Sequence, residues 1–565
     1  MTSTATDSQL PSQDPAGSGL RARTTRPSDA RLSPVRAISS ISVESESAMT
    51  SGRSTPVPEN APPSDKLLSS VRKQVRAQQR RRLFPTIEFA SRVSHFDPTS
   101  DYRDFHGFFA LFWVGLAIMA ITTILRSLKD TGYPFRVQIW SLFTHKVWHL
   151  ALADAVMVAS TSVSLPMHTL FRNSNGAMTW NKGGIWLQSL YQTLWLALWV
   201  VIPFLYEWTW TAQVFFLLHS MVMLMKMHSW AFYNGHLSET EKRLRALDHP
   251  ATASRAPAVI YEKGATAAAA IAAASVAVSV AGESTARSST DEPPATPDSD
   301  DELADLREDL ARELVSPMGN VSYPANLTLA NWWDYLLVPT LCYELEYPRV
   351  SRIDWTKVFS HVAATFGCIF LLTIISEEFI LPILVESKAR LAALDSNNLT
   401  AETLLILAET ISWMLFPFML TFLLVFFVIF EYVLGFFAEI TLFADRHFYS
   451  DWWNSTDWME FSREWNIPVH SFLRRHVYGA SRPYAGRTGA TVLTFFISAV
   501  AHEIIMACIS KKVRGYGFVC QMLQLPLVAV QKTKWVRGRK TFNNVTFWCS
   551  MILGLSLICA LYVLM

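Results

Sequence analysis

The chain has 565 residues, 50% of them hydrophobic and 17% charged, against roughly 25% charged residues in an average soluble domain. A formal net charge of +2 excludes the strongly basic balance of a nucleic-acid binder. The 35 Phe and 20 Trp, set beside long polar stretches, exclude an ordinary soluble enzyme and point to membrane-spanning helices.

Residues 1–100 are polar and rich in Ser, Thr and Pro, and read as a disordered cytosolic N-terminal region without a cleavable signal peptide. They end in a basic stretch, Lys66, Arg72, Lys73, Arg76, Arg80, Arg81 and Arg82, which by the positive-inside rule holds this end in the cytosol. A nucleic-acid or lipid-headgroup patch is the alternative. Apolar runs at 108–125, 149–166, 184–205 and 211–225 make a first membrane part over 101–236 with four spans. The first of these carries no charge and at the helical rise covers about 27 Å of hydrocarbon. A stretch rich in Ser, Pro, Asp and Glu, 237–320, then reads as a second disordered segment, a cytosolic insert. The Ala-rich run 264–282 inside it is too weakly apolar to span. A second membrane part, 321–565, carries runs at 358–382, 404–430, 491–509, 516–530 and 544–564. The expected fold is an all-α polytopic bundle of about nine transmembrane helices.

The run 516–530 is short, contains Gln521 and Gln524, and has basic residues on both sides: Lys511, Lys512 and Arg514 before it, Lys532, Lys534, Arg537, Arg539 and Lys540 after it. A re-entrant or internally packed segment is the alternative to a span. Of the sequons at Asn320, Asn326, Asn398, Asn454 and Asn544, nine spans leave only Asn398 clearly lumenal, so Asn320 and Asn326 are expected to stay unmodified.

His502 and Glu503 stand out inside the apolar run TVLTFFISAVAHEIIMACI. An ionisable group at membrane depth costs about 2.5 to 3.5 kcal/mol on insertion scales, so it usually serves a site or a buried partner. HEIIM lacks the second histidine of a zinc protease motif, and the six cysteines, Cys342, Cys368, Cys508, Cys520, Cys549 and Cys559, form no CxxC pair, so no metal site or disulfide scaffold is expected. Neighbouring helix residues point about 100° apart, so Glu503 is not the natural orienting partner of His502. Another polar group must hold the imidazole. A neutral, buried histidine suits general-base work on a hydroxyl, and a histidine bonded between helices is the structural alternative. His149, His219 and His361 lie near span ends or on polar faces and read as structural.

Between two apolar regions lies a polar, aromatic block, 447–478, HFYSDWWNSTDWMEFSREWNIPVHSFLRRHVY. Its tryptophans suggest interfacial helices. Arg463, Arg474, Arg475 and His476 suit either ligand phosphates or anionic lipid headgroups.

This block closely resembles the membrane-bound O-acyltransferases, and within them the sterol O-acyltransferases, whose signature FYxDWWN is matched by Phe448, Tyr449, Asp451, Trp452, Trp453 and Asn454. The likeness extends to WNIPVH (465–470), SAVAHE (498–503), PTLCYELEYPR (339–349) and MKMHSWAFYNG (225–235). It implies that His502 is the catalytic histidine and Asn466 the second essential polar residue, with direct transfer of a fatty acyl group from acyl-CoA to a sterol 3-hydroxyl. By the same resemblance the FYxDWWN residues, Arg463, Tyr478 and Ser498 face the acyl-CoA, Trp465 and His470 support the site, and Gln524 is similar to a polar residue near the histidine of the diacylglycerol branch. Acyl-CoA is then a co-substrate, with no cofactor and no metal. The implied partners are fatty acyl-CoA, a sterol, membrane lipids and further copies of the chain in a homodimer or higher oligomer, with no nucleic acid, in the endoplasmic reticulum membrane. Met459 and Glu460 depart from the small polar residues some relatives carry there. Asp451 favours the sterol branch, because diacylglycerol O-acyltransferases typically have Glu at that place. The alternatives are a diacylglycerol acceptor and, as a non-enzyme, a transporter gated by His502, although no internal repeat is visible.

Overall fold

A computed structural model describes residues 87, 89–96, 106–133, 145–206, 208–247, 299–394, 401–534, 536 and 538–564. Among them there is no β-strand, only three isolated bridges. The first membrane part holds α1 (His106–Thr131), α2 (Val147–Thr161), α3 (Ser164–Asn173), α4 (Ile185–Leu205) and α5 (Trp210–Leu247). Two short helices, α6 (Ser299–Glu313) and α7 (Leu329–Leu337), lead into α8 (Trp355–Ile375), α9 (Leu381–Ala392), α10 (Ala401–Phe426) and α11 (Leu434–Ile440). The C-terminal part holds α12 (Trp458–Glu464), α13 (Ile467–Phe472), α14 (Gly479–Ser510), α15 (Tyr516–Met522), α16 (Gln524–Gln531) and α17 (Lys540–Leu564). Single π-helical turns fuse α8 to α9, α10 to α11 and α13 to α14.

Eight of these fused helical segments are long and apolar enough to cross a membrane. The ninth expected span is instead the pair α15 and α16, 516–531, covering about 24 Å, short of a hydrocarbon core of about 30 Å. α5 is the opposite case: its 38 residues run about 57 Å and must project beyond the core. The expected insert is therefore folded at both ends. Residues 237–247 continue α5, where Leu237 and Leu244 join the main hydrophobic core with Leu310 and Leu314. An ion pair, Arg172–Glu241, and a hydrogen-bond contact, His236–Glu313, both at 2.9 Å, fasten that projection. Residues 248–298, with the Ala-rich run, lie outside the described residues, as does the basic stretch 66–82.

The polar N-terminal region is also folded where it is described. Arg92 pairs with Asp445 in a parallel bridge, Phe89 packs edge-on to Tyr347 and Phe443, and Phe96 stacks on Phe109 of α1. Its remaining residues up to 86 lie outside the described residues.

At the centre is an irregular segment, 338–345, all of it buried. With no water to satisfy it, its backbone must find protein partners. Lys226 of α5 donates to the carbonyls of Tyr335, Val338 and Thr340 at 3.0, 2.7 and 2.8 Å. Ser229, one turn on, accepts from the Tyr343 amide at 2.9 Å. Arg475 donates to the Tyr343 carbonyl at 3.1 Å and to the Glu344 carboxylate at 2.9 Å, and the Tyr347 hydroxyl accepts from the Glu344 amide. The strings MKMHSWAFYNG and PTLCYELEYPR are thus two halves of one packing unit. Gly235 belongs to it because the Trp180 indole lies where a Cβ would stand, 2.1 Å away.

Two expectations follow. Glu344→Ala strands the buried Arg475 charge and costs about 3–5 kcal/mol, whereas Arg390→Ala, which opens a half-exposed pair with Glu409, costs less than about 1 kcal/mol; melting of the detergent-solubilised variants checks the difference. Asn326 is 2% exposed and its amide donates to Asn234 and Tyr343, so glycosidase treatment leaves the mobility of wild type and Asn326→Gln alike.

Candidate active site

His502 lies on α14, and its Nδ1 is 2.7 Å from the Ser498 backbone carbonyl one turn earlier. A carbonyl only accepts, so Nδ1 carries the proton and Nε2 keeps a lone pair. The orienting group sought in the sequence is therefore main chain, not a side chain. The ring is exposed rather than buried as expected, because the helix that carries it is covered by protein over only 17% of its most apolar stretch. Glu503 faces the other way. Its carboxylate accepts from the Gly515 and Phe518 amides at 2.7 and 3.1 Å and from the Tyr562 hydroxyl at 2.7 Å, tying α14 to α15 and α17.

The short pair α15 and α16 brings two glutamines to the same place. Gln524 donates to Gln521 at 3.0 Å, and Gln521 to the Ser498 hydroxyl at 3.4 Å. At its other end α16 presents Gln531, whose side chain accepts from the Trp458 amide at 3.3 Å. Helix α16 thus connects the His502 surroundings to the aromatic block over about 10 Å.

In that block Phe448, Tyr449 and Trp452 are buried. Trp452 packs against Trp465, Phe426 and Trp548 with centroids 4.8, 5.1 and 5.5 Å apart. Tyr449 donates to Glu431 at 2.9 Å; burial and the adjacent carboxylate hold its phenol well above the ordinary range, so it stays a donor. The carbonyl of Trp453 accepts from Asn544 at 3.0 Å and from the Trp548 indole at 3.1 Å. Asp451 accepts from Ser450 and Asn454 within its own turn. His447 accepts from Arg92 at 3.1 Å, consistent with burial and that guanidinium pushing its imidazole down to about 4.

Asn466 caps α13, its Oδ1 accepting from the Val469 amide at 3.1 Å. The cap turns Oδ1 toward the start of α13, and among the described residues the NH₂ group of this amide makes no hydrogen bond and can donate. Arg463 is exposed on the last turn of α12, while Trp465, His470, Tyr478 and Ser498 are half-buried. Among the described residues no hydrogen bond joins Asn466 to His502. The predicted residues fall into two groups, 448–470 and 498–524, with Tyr478 between them on one helical run broken at Gly486, whose φ is 67°. Glu460, one of the two departures from the resemblance, serves the start of its own helix: it accepts from the Thr456 amide and hydroxyl at 2.7 and 2.8 Å, while its amide donates to the Asp457 cap of α12 at 2.8 Å. Sequence reading missed Gln521, Glu431, Asn544 and Trp548 as site-shaping groups. The one usable signal was Glu431, a carboxylate inside an apolar run.

His219 pairs with Asp154 at 2.7 Å, His361 fills the space beside Gly435, and His149 is exposed. All six cysteines are free, and among the described residues no group of three or more His, Cys, Asp or Glu is placed to hold a metal ion.

The profile of the membrane-bound O-acyltransferase family matches residues 180–564. Similar proteins include the probable sterol O-acyltransferase 2 of Schizosaccharomyces pombe, 37% identical over 461 residues, covering 82% of this chain and 87% of the relative. The sterol O-acyltransferase 2 of Candida albicans is 31% identical over 494 residues, 85% of this chain and 78% of its own. Diacylglycerol O-acyltransferase 1 of Dictyostelium discoideum matches less, 32% over 258 residues, 46% of this chain and 40% of its own. By the extent of that profile and of those relatives, the chain belongs to the membrane-bound O-acyltransferase family.

Proposed function

We propose that this enzyme is a sterol O-acyltransferase that moves a fatty acyl group from acyl-CoA to the 3-hydroxyl of a sterol. The observation that carries the chemistry is the His502 tautomer: Nδ1 is committed to the Ser498 carbonyl, so Nε2 is the basic atom. That nitrogen takes the hydroxyl proton as the sterol oxygen attacks the thioester carbonyl. Collapse of the tetrahedral intermediate breaks the C–S bond, the proton passes from His502 to the departing thiolate, and steryl ester and coenzyme A are the products. Exposure of the ring suits an acceptor that enters from the bilayer. Asn466, an amide with its oxygen used in the cap, is the donor for the developing oxyanion. The acyl-CoA lies against the 448–454 turn, Arg463, Tyr478 and Ser498, with Trp465, His470 and Gln524 as support. Direct transfer without an acyl-enzyme is supported by the placement of the six cysteines, none of which lies in the FYxDWWN, WNIPVH or SAVAHE strings.

The sterol acceptor is supported by the two long sterol-branch matches against the partial diacylglycerol-branch one. We further propose an endoplasmic reticulum location, a cytosolic N-terminus set by the basic residues before the first span, and a homo-oligomeric assembly.

Microsomes given labelled oleoyl-CoA with either a sterol or a diacylglycerol should yield labelled steryl ester; triacylglycerol as the dominant product moves the acceptor to the sister branch. His502→Ala should lower that activity by about 10²–10⁴-fold, and full activity in this variant would overturn the mechanism. Asn466→Asp keeps a good helix cap but removes the donors, so its melting temperature stays near wild type while kcat falls about 10²–10³-fold.

A further inference from the structure

The segment 89–96 precedes the first membrane helix, yet it packs against residues 443–447, just ahead of the FYxDWWN turn, and against Tyr449 and Trp453 within it. Its Arg92 amide donates to the Ala444 carbonyl at 3.0 Å, and its carbonyl accepts from the Arg446 amide at 2.9 Å. The Arg92 guanidinium grips Asp445 with two nitrogens, at 2.8 and 2.5 Å, and the Ala90 amide adds a third bond at 3.1 Å. Asp445 is itself buried, and this segment supplies its main donors, three bonds beside the single 3.4 Å bond from the His447 amide.

Two residues further on, the contacts move onto the FYxDWWN turn itself. The Ser94 hydroxyl donates to Glu431 at 2.6 Å and lies 2.9 Å from the Tyr449 hydroxyl. His95 packs on Tyr449 and Trp453, and so does Phe96. Between segment and block lies a cavity of about 110 Å³ lined in part by Phe89, Arg92, His447 and Phe448. The Glu431 carboxylate belongs to the π-turn Phe427–Val433, a feature common at functional sites.

We propose that residues 89–96 are a positioning strap for the acyl-donor turn, with Arg92 and Ser94 as positioning residues that act through Asp445 and Tyr449. The strap fixes where the 448–454 turn stands, and so governs acyl-CoA binding without touching the sterol. This rests on the reading of that turn as the acyl-CoA contact.

The test uses the full-length chain in microsomes, with oleoyl-CoA and sterol varied separately and melting followed in detergent. Arg92→Ala should raise KM for oleoyl-CoA about tenfold with the sterol KM within about twofold. Ser94→Ala should give a smaller rise of the same kind, and Ser94→Thr, which keeps the hydroxyl, should return to near wild type. Both KM values rising together, or a loss of activity in proportion to lost folded protein, assigns the strap a merely structural role and overturns the proposal. Asp451→Ala separates the two readings. If it raises the oleoyl-CoA KM while the strap variants do not, the strap proposal falls and the turn keeps its role; if it leaves that KM unchanged, the reading of the turn falls and the strap proposal falls with it.

Discussion

Among the described residues, the helices are tied together at a buried stretch of irregular backbone whose polar groups have no helix or strand ladder of their own. Residues 338–345 are neither helix nor strand, and each of their polar groups needs a partner from elsewhere. One ammonium, Lys226, serves three carbonyls, and one guanidinium, Arg475, serves a carbonyl and a carboxylate. Because Lys226 sits on the fourth span and Arg475 on the seventh, meeting the demands of this stretch locks two distant parts of the bundle together. The half carrying 467–510 then has a fixed frame against which a base and a donor turn can be held.

The second constraint is local and concerns the FYxDWWN turn. It has little regular structure of its own, a 3-10 turn of three residues, and is held from outside by α17 through Asn544 and Trp548, by the Glu431 carboxylate, and by the segment before the first span. A turn restrained on several sides by groups remote in sequence is a rigid platform on non-rigid backbone, the condition that its proposed contact with the acyl donor sets.

Much of this was legible in the sequence, for identifiable reasons. Long, predominantly apolar runs give the spans because a membrane helix must be apolar over most of the hydrocarbon core, and the run 516–530, brief and bounded by basic residues on both sides, is the one that stops short. His502 and the aromatic block stood out because polar groups there are costly. Less legible were features whose partners lie hundreds of residues away: FASRVSHF looks like tail until Asp445 is placed beside Arg92, and nothing local says that Lys226 will find three carbonyls after residue 334. The imidazole of His502 was expected to be enclosed. It is open because its helix is little covered by other helices, and the sequence pattern of an apolar span does not show how much of it neighbouring helices will cover.

Gly486 carries a further consequence. The helical run from Ile467 to Ser510 is interrupted there by a backbone conformation that only glycine adopts without strain. The portion before it holds the buried stretch through Arg475; the portion after it is tied to α15 and α17 through Glu503 and reaches α5 through Cys508 and Gln213. One position therefore couples the frame around the buried stretch to the helix that carries His502: any side chain placed there must either take up the left-handed backbone at a cost or let the two portions turn against each other.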